Sequence, residues 1–291
     1  MLRDKKWDVI QNETGDISND ISQYIENRKI YYRRYPLMEK DATKFFIGSR
    51  GCPYKCSYCF NKQMREIFKG RGQPIRFKKP ERFIEEIENE KTRGFLKYVC
   101  FSDDLFIMNK KWLEEFTRLY KAHIGIPFMC QIRPEFIDED VLANLKESGC
   151  DKVVFGIETG NEDLRTKILN KRIKNDEFIK MAQLFKKYRM KIHTFNMFGI
   201  PTETLENSFE TIMLNVKIKA DMVASSMFMP FPGTELTELA IKAGCLASTY
   251  SFKDIPQSFH RKSILKTPVI DKQEKIHKII FIACKYPILI P

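Results

Sequence analysis

Six times between Thr43 and Gly244 a short apolar run gives way to an amphipathic segment, and this alternation limits the fold more than any other feature of the chain. Runs at 44–48, 96–101, 127–132, 152–157, 191–198 and 222–229 have the length and composition of strands. Each leads into a segment with one apolar helical face. Phe83, Ile84 and Ile87 follow Pro80, a good first helical residue, and Leu113, Phe116 and Tyr120 follow a cap at Asn109. Asp138 opens a third helix that stops at Gly149, and further helices are predicted at 176–188, 203–218 and 234–244. Right-handed crossovers force such a series into an α/β fold with a parallel sheet and outer helices, either open or curled into a partial barrel.

The flanks differ from this pattern. Residues 1–43 are polar and irregular, with a tyrosine-rich patch at 31–36, and read as a linker or embracing arm. Residues 245–291 read as an appended segment with one helical stretch near 271–284, which leaves 44–244 as the core. At roughly 150 residues per domain the length suggests two, although α/β barrels fill such a length as one. A hydrophobic content of 43% excludes a mostly disordered chain. The densest apolar run, 279–284, is far shorter than the ~20 residues that cross a bilayer. Residues 1–10 lack the apolar stretch of a secretory signal. A cytoplasmic protein without a membrane partner is the expectation. The net charge of +12 would attract phosphates and acidic surfaces, so nucleic acid stays open as a partner. Lysine-rich solvated helix faces are the favoured account of the charge.

Eight cysteines in a reducing compartment do not form a disulfide framework. Cys100, Cys130, Cys150, Cys245 and Cys284 are scattered and read as small hydrophobes. Cys52, Cys56 and Cys59 crowd one loop after the first strand. In parallel α/β architectures ligands bind at the carboxyl ends of strands, so this loop sits where chemistry is expected. Three thiolates suit a soft metal. Structural zinc normally takes four protein ligands, and no fourth Cys or His lies nearby in sequence. A cubane iron–sulfur cluster on three cysteines leaves one iron open, and an open position implies catalysis.

The C-x3-C-x2-C loop, with Tyr58 before its last cysteine, resembles the signature of the radical S-adenosylmethionine (radical SAM) superfamily. The resemblance spans roughly residues 15 to 260. It implies a partial (β/α)6 TIM-like barrel in which Cys52, Cys56 and Cys59 hold a [4Fe-4S] cluster. Its open iron would chelate S-adenosyl-L-methionine, whose reductive cleavage gives methionine and a 5′-deoxyadenosyl radical. An electron donor of flavodoxin or ferredoxin type is implied as well. By the same resemblance Tyr58 lies near the adenine, and Gly51 lets backbone pass close to the cluster. The second strand end, Ser102-Asp103-Asp104-Leu105-Phe106, is similar to a family D-D-x-F and places Ser102 and Asp103 near the cofactor's amino group. Adjacent carboxylates point to opposite sides, so at most one of Asp103 and Asp104 faces the pocket. The family tripeptide G-G-E is missing. Arg133 offers a planar fork for the cofactor's carboxylate, or a salt bridge at the rim. Glu158, in G-x-E-x-G, could accept both ribose hydroxyl protons. Gly199 and Met229 fall in segments similar to those that flank the adenine. The histidines form no close cluster, and His193 is the one placed to face the barrel interior.

The stretch 24–35, leading into Ser49-Arg50-Gly51-Cys52-Pro53, is similar to the connector that follows a cobalamin-binding domain in one branch of the superfamily. About 43 residues precede the barrel, too few for a doubly wound domain. No D-x-H-x-x-G is present to ligate cobalt. The leading expectation is a radical enzyme that abstracts hydrogen from an unidentified substrate. One alternative is a methyltransferase-like protein truncated or split from its cobalamin domain, with cobalamin supplied in trans by a separate protein. An RNA-modifying radical enzyme and a non-catalytic metal-binding partner module are the others.

Overall fold

The computed structural model describes residues 18–23, 28–258, 260 and 262–286. Strand β1 (Thr43–Phe46) is followed by a small antiparallel ribbon of β2 (Ser49–Arg50) and β3 (Arg76–Phe77). Then come β4 (Tyr98–Phe101), β5 (Phe128–Gln131), β6 (Cys150–Glu158), β7 (Lys191–Phe198) and β8 (Met222–Met227). β1 and β4 to β8 lie side by side in chain order, all parallel, as a curled half-barrel with helices outside. The helices are α1 (Arg28–Arg34), α2 (Pro36–Glu39), α3 (Asn61–Ile67), α4 (Pro80–Lys91) and α5 (Lys110–His123). After them come α6 (Glu139–Glu147), α7 (Asn175–Lys187), α8 (Leu205–Lys217), α9 (Glu235–Lys242) and α10 (Ile270–Lys285). The strand–helix alternation expected from sequence is present in full. Strand 191–198 matches residue for residue.

Local chemistry sets the boundaries. The Asn109 side chain accepts from the Trp112 amide at 3.1 Å, and Asp138 accepts from Val141 at 2.9 Å, each satisfying an orphan N–H of a first turn. β1 stops two residues before Gly48, because the Gly48 amide donates to Asp103 rather than to the ladder. β4 begins at Tyr98 rather than at 96, since Lys97 and Tyr98 both donate to the Ala42 carbonyl. β8 ends at Met227, short of 229.

Apolar faces of α4 and α5 bury Phe83, Phe116 and Tyr120 against Phe46, Phe101 and Phe128 of the sheet. Phe101 stacks on Phe106 with centroids 4.6 Å apart, and Trp112 on Phe116 at 5.1 Å. This core holds the strand ends of β1, β4 and β5 rigid, and those ends carry the site. On the other side of the sheet's span, Ile276, Ile280 and Ala283 of α10 pack on Phe198, Ile212 and Met227.

Two expectations about local structure need correction. Residues 28–34 and 36–39 are helical rather than irregular: Tyr32 is buried, its hydroxyl donates to Glu90 at 2.6 Å, and the Arg28 guanidinium lies 4.2 Å from the Phe46 ring centroid. Tertiary packing of one tyrosine and one arginine overrides a segment without capping or periodic signals. Helix α3, directly after the cysteine loop, also went unanticipated, since seven residues hold too little periodicity to read. Among the described residues, no helix is long and apolar enough to cross a membrane.

Candidate active site at the strand ends

The cysteine loop is pinned at both ends by the acid pair after β4. Asp103 is fully buried, and its Oδ1 accepts from the Gly48 amide (3.1 Å), the Ser49 amide (2.5 Å) and the Ser49 hydroxyl (2.5 Å). Asp104, like Asp103, lies past the end of β4; it is exposed and reaches the same loop. Its Oδ2 accepts from the Gly51 amide at 3.2 Å and its Oδ1 from the Asn61 side chain at 3.1 Å. One carboxylate thus fixes the approach to Cys52, and the other ties the residues before Cys52 and after Cys59 together. Burial raises the Asp103 carboxyl to about 6, opposed by those hydrogen bonds, and its Oδ2 has no partner. Asp103 is committed to the loop, so little of it remains for a cofactor's amino group. Ser102 is half-buried, and its amide donates to the Phe46 carbonyl.

Gly51 has φ +88°, and a Cβ there would run into the Pro74 carbonyl oxygen, so the loop start accepts only glycine without displacement. Beyond it, Arg65 of α3 donates to the Cys52 and Tyr54 carbonyls. Cys56 is buried, while Cys52 and Cys59 are half-buried. Burial pushes the Cys52 and Cys59 thiols up, so metal binding must displace protons. Two polar groups face the sulfurs: Arg133 Nη1 lies 3.7 Å from Cys56 Sγ, and Asn61 Nδ2 lies 3.5 Å from Cys59 Sγ. Among the described residues no three His, Cys, Asp or Glu side chains converge closely enough to hold a single ion. The thiols are therefore not a ready-made mononuclear site. Three soft donors on one rigid loop, with a cation and an amide turned toward two of them, fit a group that needs thiolates.

Arg133 stacks over Tyr54, 3.4 Å from the ring centroid, and pairs with Glu135 at 2.6 Å. The rim salt bridge therefore exists, and the same guanidinium reaches a cysteine. The pair with Glu135 occupies the Nη2 edge of the fork that a cofactor carboxylate would use.

Glu158 closes β6 with φ +66°, a strained value for a non-glycine residue that marks functional positions. Its side chain folds back over Gly156, where a Cβ would collide with the carboxylate and with Lys171 Nζ. Glu158 Oε1 accepts from the Tyr58 hydroxyl at 2.9 Å and from Lys171 Nζ at 3.0 Å. Lys171 is buried and also donates to the Gly156 carbonyl at 2.6 Å. Burial, and then the Glu158 charge, hold the Tyr58 phenol well above its ordinary value, so it stays a neutral donor. The second glycine of G-x-E-x-G serves packing instead. A Cβ on Gly160 would meet the α8 backbone, and the Gly160 amide donates to Thr211 at 2.8 Å.

Gly199 is buried, and its free face is filled by Met227 and Ile270. Glu203, five residues into the β7–α8 connection, accepts from the Gly199 amide (2.8 Å) and the Ile200 amide (3.1 Å) and holds that turn. The Gly199 amide is thus unavailable for reading a base edge. Met229 is half-buried just past β8. The structure brings Tyr58, Glu158 and the cysteine loop together with Arg133 and the acid pair, and leaves Gly199 in a separate packed turn. The expectation of dispersed histidines is corrected for one pair: the His260 and His277 rings stack 6.3 Å apart, and His277 Nε2 contacts the His260 carbonyl at 3.1 Å. A separation of 17 positions hid that pair from a sequence reading. Lys171 and Glu203 were also missed. Lys171 follows a π-helical turn, Leu164–Ile168, that no periodicity marks. Glu203, four residues beyond Gly199, could have been suspected as an acceptor for turn amides.

Burial also makes Glu203 a source of pH dependence. It lifts the carboxyl from 4.5 to about 7 against four weaker hydrogen-bond contributions. A raised folded-state value means this stability is complete below pH 4.5 and is lost as pH rises through 7. The loss amounts to about 3 kcal/mol by linkage. Glu203→Gln keeps an acceptor for both amides and should flatten the urea-unfolding free energy between pH 6 and 8. Asp103 acts with the same sign at lower pH, and the depressed imidazoles of His193 and His277 act with the opposite sign up to about 6.5, so it is the difference in slope between variant and parent that belongs to Glu203. An unchanged slope in the variant would contradict this assignment.

Comparison with known proteins agrees with the geometry. Residues 46–214, more than half of the chain, match the radical SAM superfamily. An uncharacterized methyltransferase of Pyrococcus horikoshii is 30% identical over 196 residues, 67% of this chain and 41% of that protein. The tRNA-2-methylthio-N(6)-dimethylallyladenosine synthase of a Sulfurihydrogenibium species is 24% identical over 239 residues, 78% of this chain and 53% of that protein. Among solved structures, the radical S-adenosylmethionine methyltransferase TsrM of Kitasatospora setae has a similar fold. Its TM-score is 0.60 at 16% identity, covering 74% of this chain and 40% of that one. The chain spans about 41% to 53% of the length of these two curated relatives. On the match across residues 46–214 and the half-barrel that carries them, the chain belongs to the radical SAM superfamily and is an enzyme.

Proposed function

We propose that this chain binds a [4Fe-4S] cluster through Cys52, Cys56 and Cys59 and uses it on S-adenosyl-L-methionine, with residues 44–244 as the catalytic core. The single observation that carries this reading is the loop itself, in which three thiols are clamped by Asp104 from both ends and faced by Arg133 and Asn61. When bound, the two groups together supply a reducing electron and a sulfonium whose cleavage yields a hydrogen-abstracting radical. The chain's own residues do the holding. Asp103 and Asp104 keep the loop rigid, which limits rearrangement on electron transfer. Arg133 places a positive charge beside Cys56 and so favours the reduced state electrostatically. Glu158, oriented by Lys171 and Tyr58, presents an acceptor-only group suited to ribose hydroxyls. Tyr58 remains a donor at neutral pH. A reductant of flavodoxin or ferredoxin type would serve as the electron source.

A second reading, methyl transfer with cobalamin supplied by a separate protein or domain, is favoured by the methyltransferase names of the P. horikoshii relative and of TsrM. Anaerobic reconstitution with iron and sulfide, reduction with dithionite and incubation with S-adenosyl-L-methionine tests both. Release of 5′-deoxyadenosine is the expected result, and S-adenosylhomocysteine appearing only when methylcobalamin is added would favour the second. Neither product from a fully iron-loaded chain would overturn both.

A further inference from the structure

The side chains of β7 divide between two faces. Ile192, Thr194, Asn196 and Phe198 are buried, and Thr194 and Asn196 bond to Asn215 of α8. His193, Phe195 and Met197 therefore lie on the concave face. Register places Val154 and Met222 beside His193, and Gly156 and Ala224 beside Phe195. Lys152, two residues before Val154, shares that face, as does Phe45, opposite in sense to the core residue Phe46. Parallel sheets are normally covered on both faces. Here Phe45, Phe195 and Met222 remain 59%, 41% and 45% exposed on the concave one. Single exposed apolar residues need no explanation, whereas several on one concave surface mark a binding face.

Polar groups on this face are incomplete in a specific way. His193 Nε2 is buried and has no hydrogen-bond partner, while the ring packs 5.1 Å from Phe195. Lys152 Nζ stands 5.5 Å from the Tyr98 ring centroid, and among the described residues no carboxylate pairs with it. Burial and the nearby Lys152 charge depress the His193 imidazole to about 4, so the histidine is neutral, and the positive charge of the face comes from Lys152 with the exposed Lys191 beside it in register. Among the described residues Lys152 has no ion-pair partner, although Asp151 accepts from the hydroxyl of the same Tyr98, and a cation free of direct pairing, bordered by an exposed ring and a thioether, is complementary to an apolar anion. Gly156, over which the Glu158 carboxylate folds, is the register partner of Phe195, so the face adjoins the strand-end site.

We propose that the concave face seats a substrate with a flat apolar body and an acidic group, the body on Phe195 and Met222 and the acid on Lys152. This rests on the strand-end loops being the cofactor site, and it names the class of molecule that would be held below them. The test uses the full chain and two probes of equal shape, 2-naphthoate and 2-naphthamide, titrated by fluorescence. A charge-assisted hydrogen bond gives discrimination of about tenfold or more in favour of the anion. Lys152→Met should abolish the discrimination while leaving naphthamide affinity unchanged, and Phe195→Ala should weaken both probes. Both residues are partly exposed, so neither change removes core packing. Equal binding of the two probes, or anion preference that survives Lys152→Met, overturns the proposal, as does no binding of either. Substrate-free formation of 5′-deoxyadenosine by the same preparations reports separately on the cofactor reading. A chain that makes it but shows no anion preference refutes only the seat.

Discussion

Cys56→Ala should leave a folded chain that retains at most about one tenth of the wild-type iron after reconstitution and desalting, because loss of one thiolate of three removes a ligand bond that no neighbouring group replaces. 5′-Deoxyadenosine formation should fall to the background of buffer alone. Cys56 is the most enclosed of the three thiols, and Arg133 beside it keeps its ion pair with Glu135 when the sulfur is removed. The cost to folding is small, on the order of 1 kcal/mol for a deleted sulfur in a loop. Cys130→Ala is the matched control. That cysteine is fully buried on β5 beside Cys150, at 4.0 Å between sulfurs, and packs in the core rather than in the loop. It should melt earlier yet keep its iron and its activity. Iron content and absorbance near 400 nm separate the two variants directly. Normal iron and turnover in Cys56→Ala would refute the ligand assignment and the proposed chemistry together.

The strands and the cysteine loop were legible in the sequence because each is a local property. Alternating apolar runs such as 191–198, caps such as Asn109 and Asp138, and three thiols on one loop all declare themselves within a dozen residues. What remained hidden depends on pairs distant in sequence. Tyr32 meets Glu90, His260 meets His277, and Lys171 meets Glu158 only once the barrel has closed. The acid pair after β4 belongs with these. Strand alternation would send Asp103 and Asp104 to opposite sides, but both lie past the end of β4 and both hold the cysteine loop. Likewise, Gly156 and Gly160 read as one motif although they solve different steric problems, one under a carboxylate and one under helix α8.

Lys171 carries the strongest prediction among residues that sequence reading passed over. Its ammonium is enclosed, 3.0 Å from Glu158 Oε1 and 2.6 Å from the Gly156 carbonyl, and Glu158 beside it is itself largely enclosed. A strained backbone at Glu158, of order 1–3 kcal/mol, persists only while its surroundings over-determine it. Lys171 and Tyr58 supply that constraint. Lys171→Met leaves a buried carboxylate with a single phenol donor, and breaking such a pair destabilises by about 3–5 kcal/mol in enclosed settings. The carboxylate then relaxes, swings or takes up a proton, and each outcome removes the acceptor proposed for the ribose. The KM for S-adenosyl-L-methionine should therefore rise by about tenfold or more, with iron content and kcat little changed. Glu158→Gln should reproduce the rise. The double variant should be no worse than either single change, because both act through one carboxylate. A merely structural lysine would lower stability and kcat together and would add to Glu158→Gln. Additive losses, or a Lys171→Met chain with unaltered KM, would place Lys171 outside the cofactor site, whereas a non-additive pair links the bend at Glu158 to cofactor affinity.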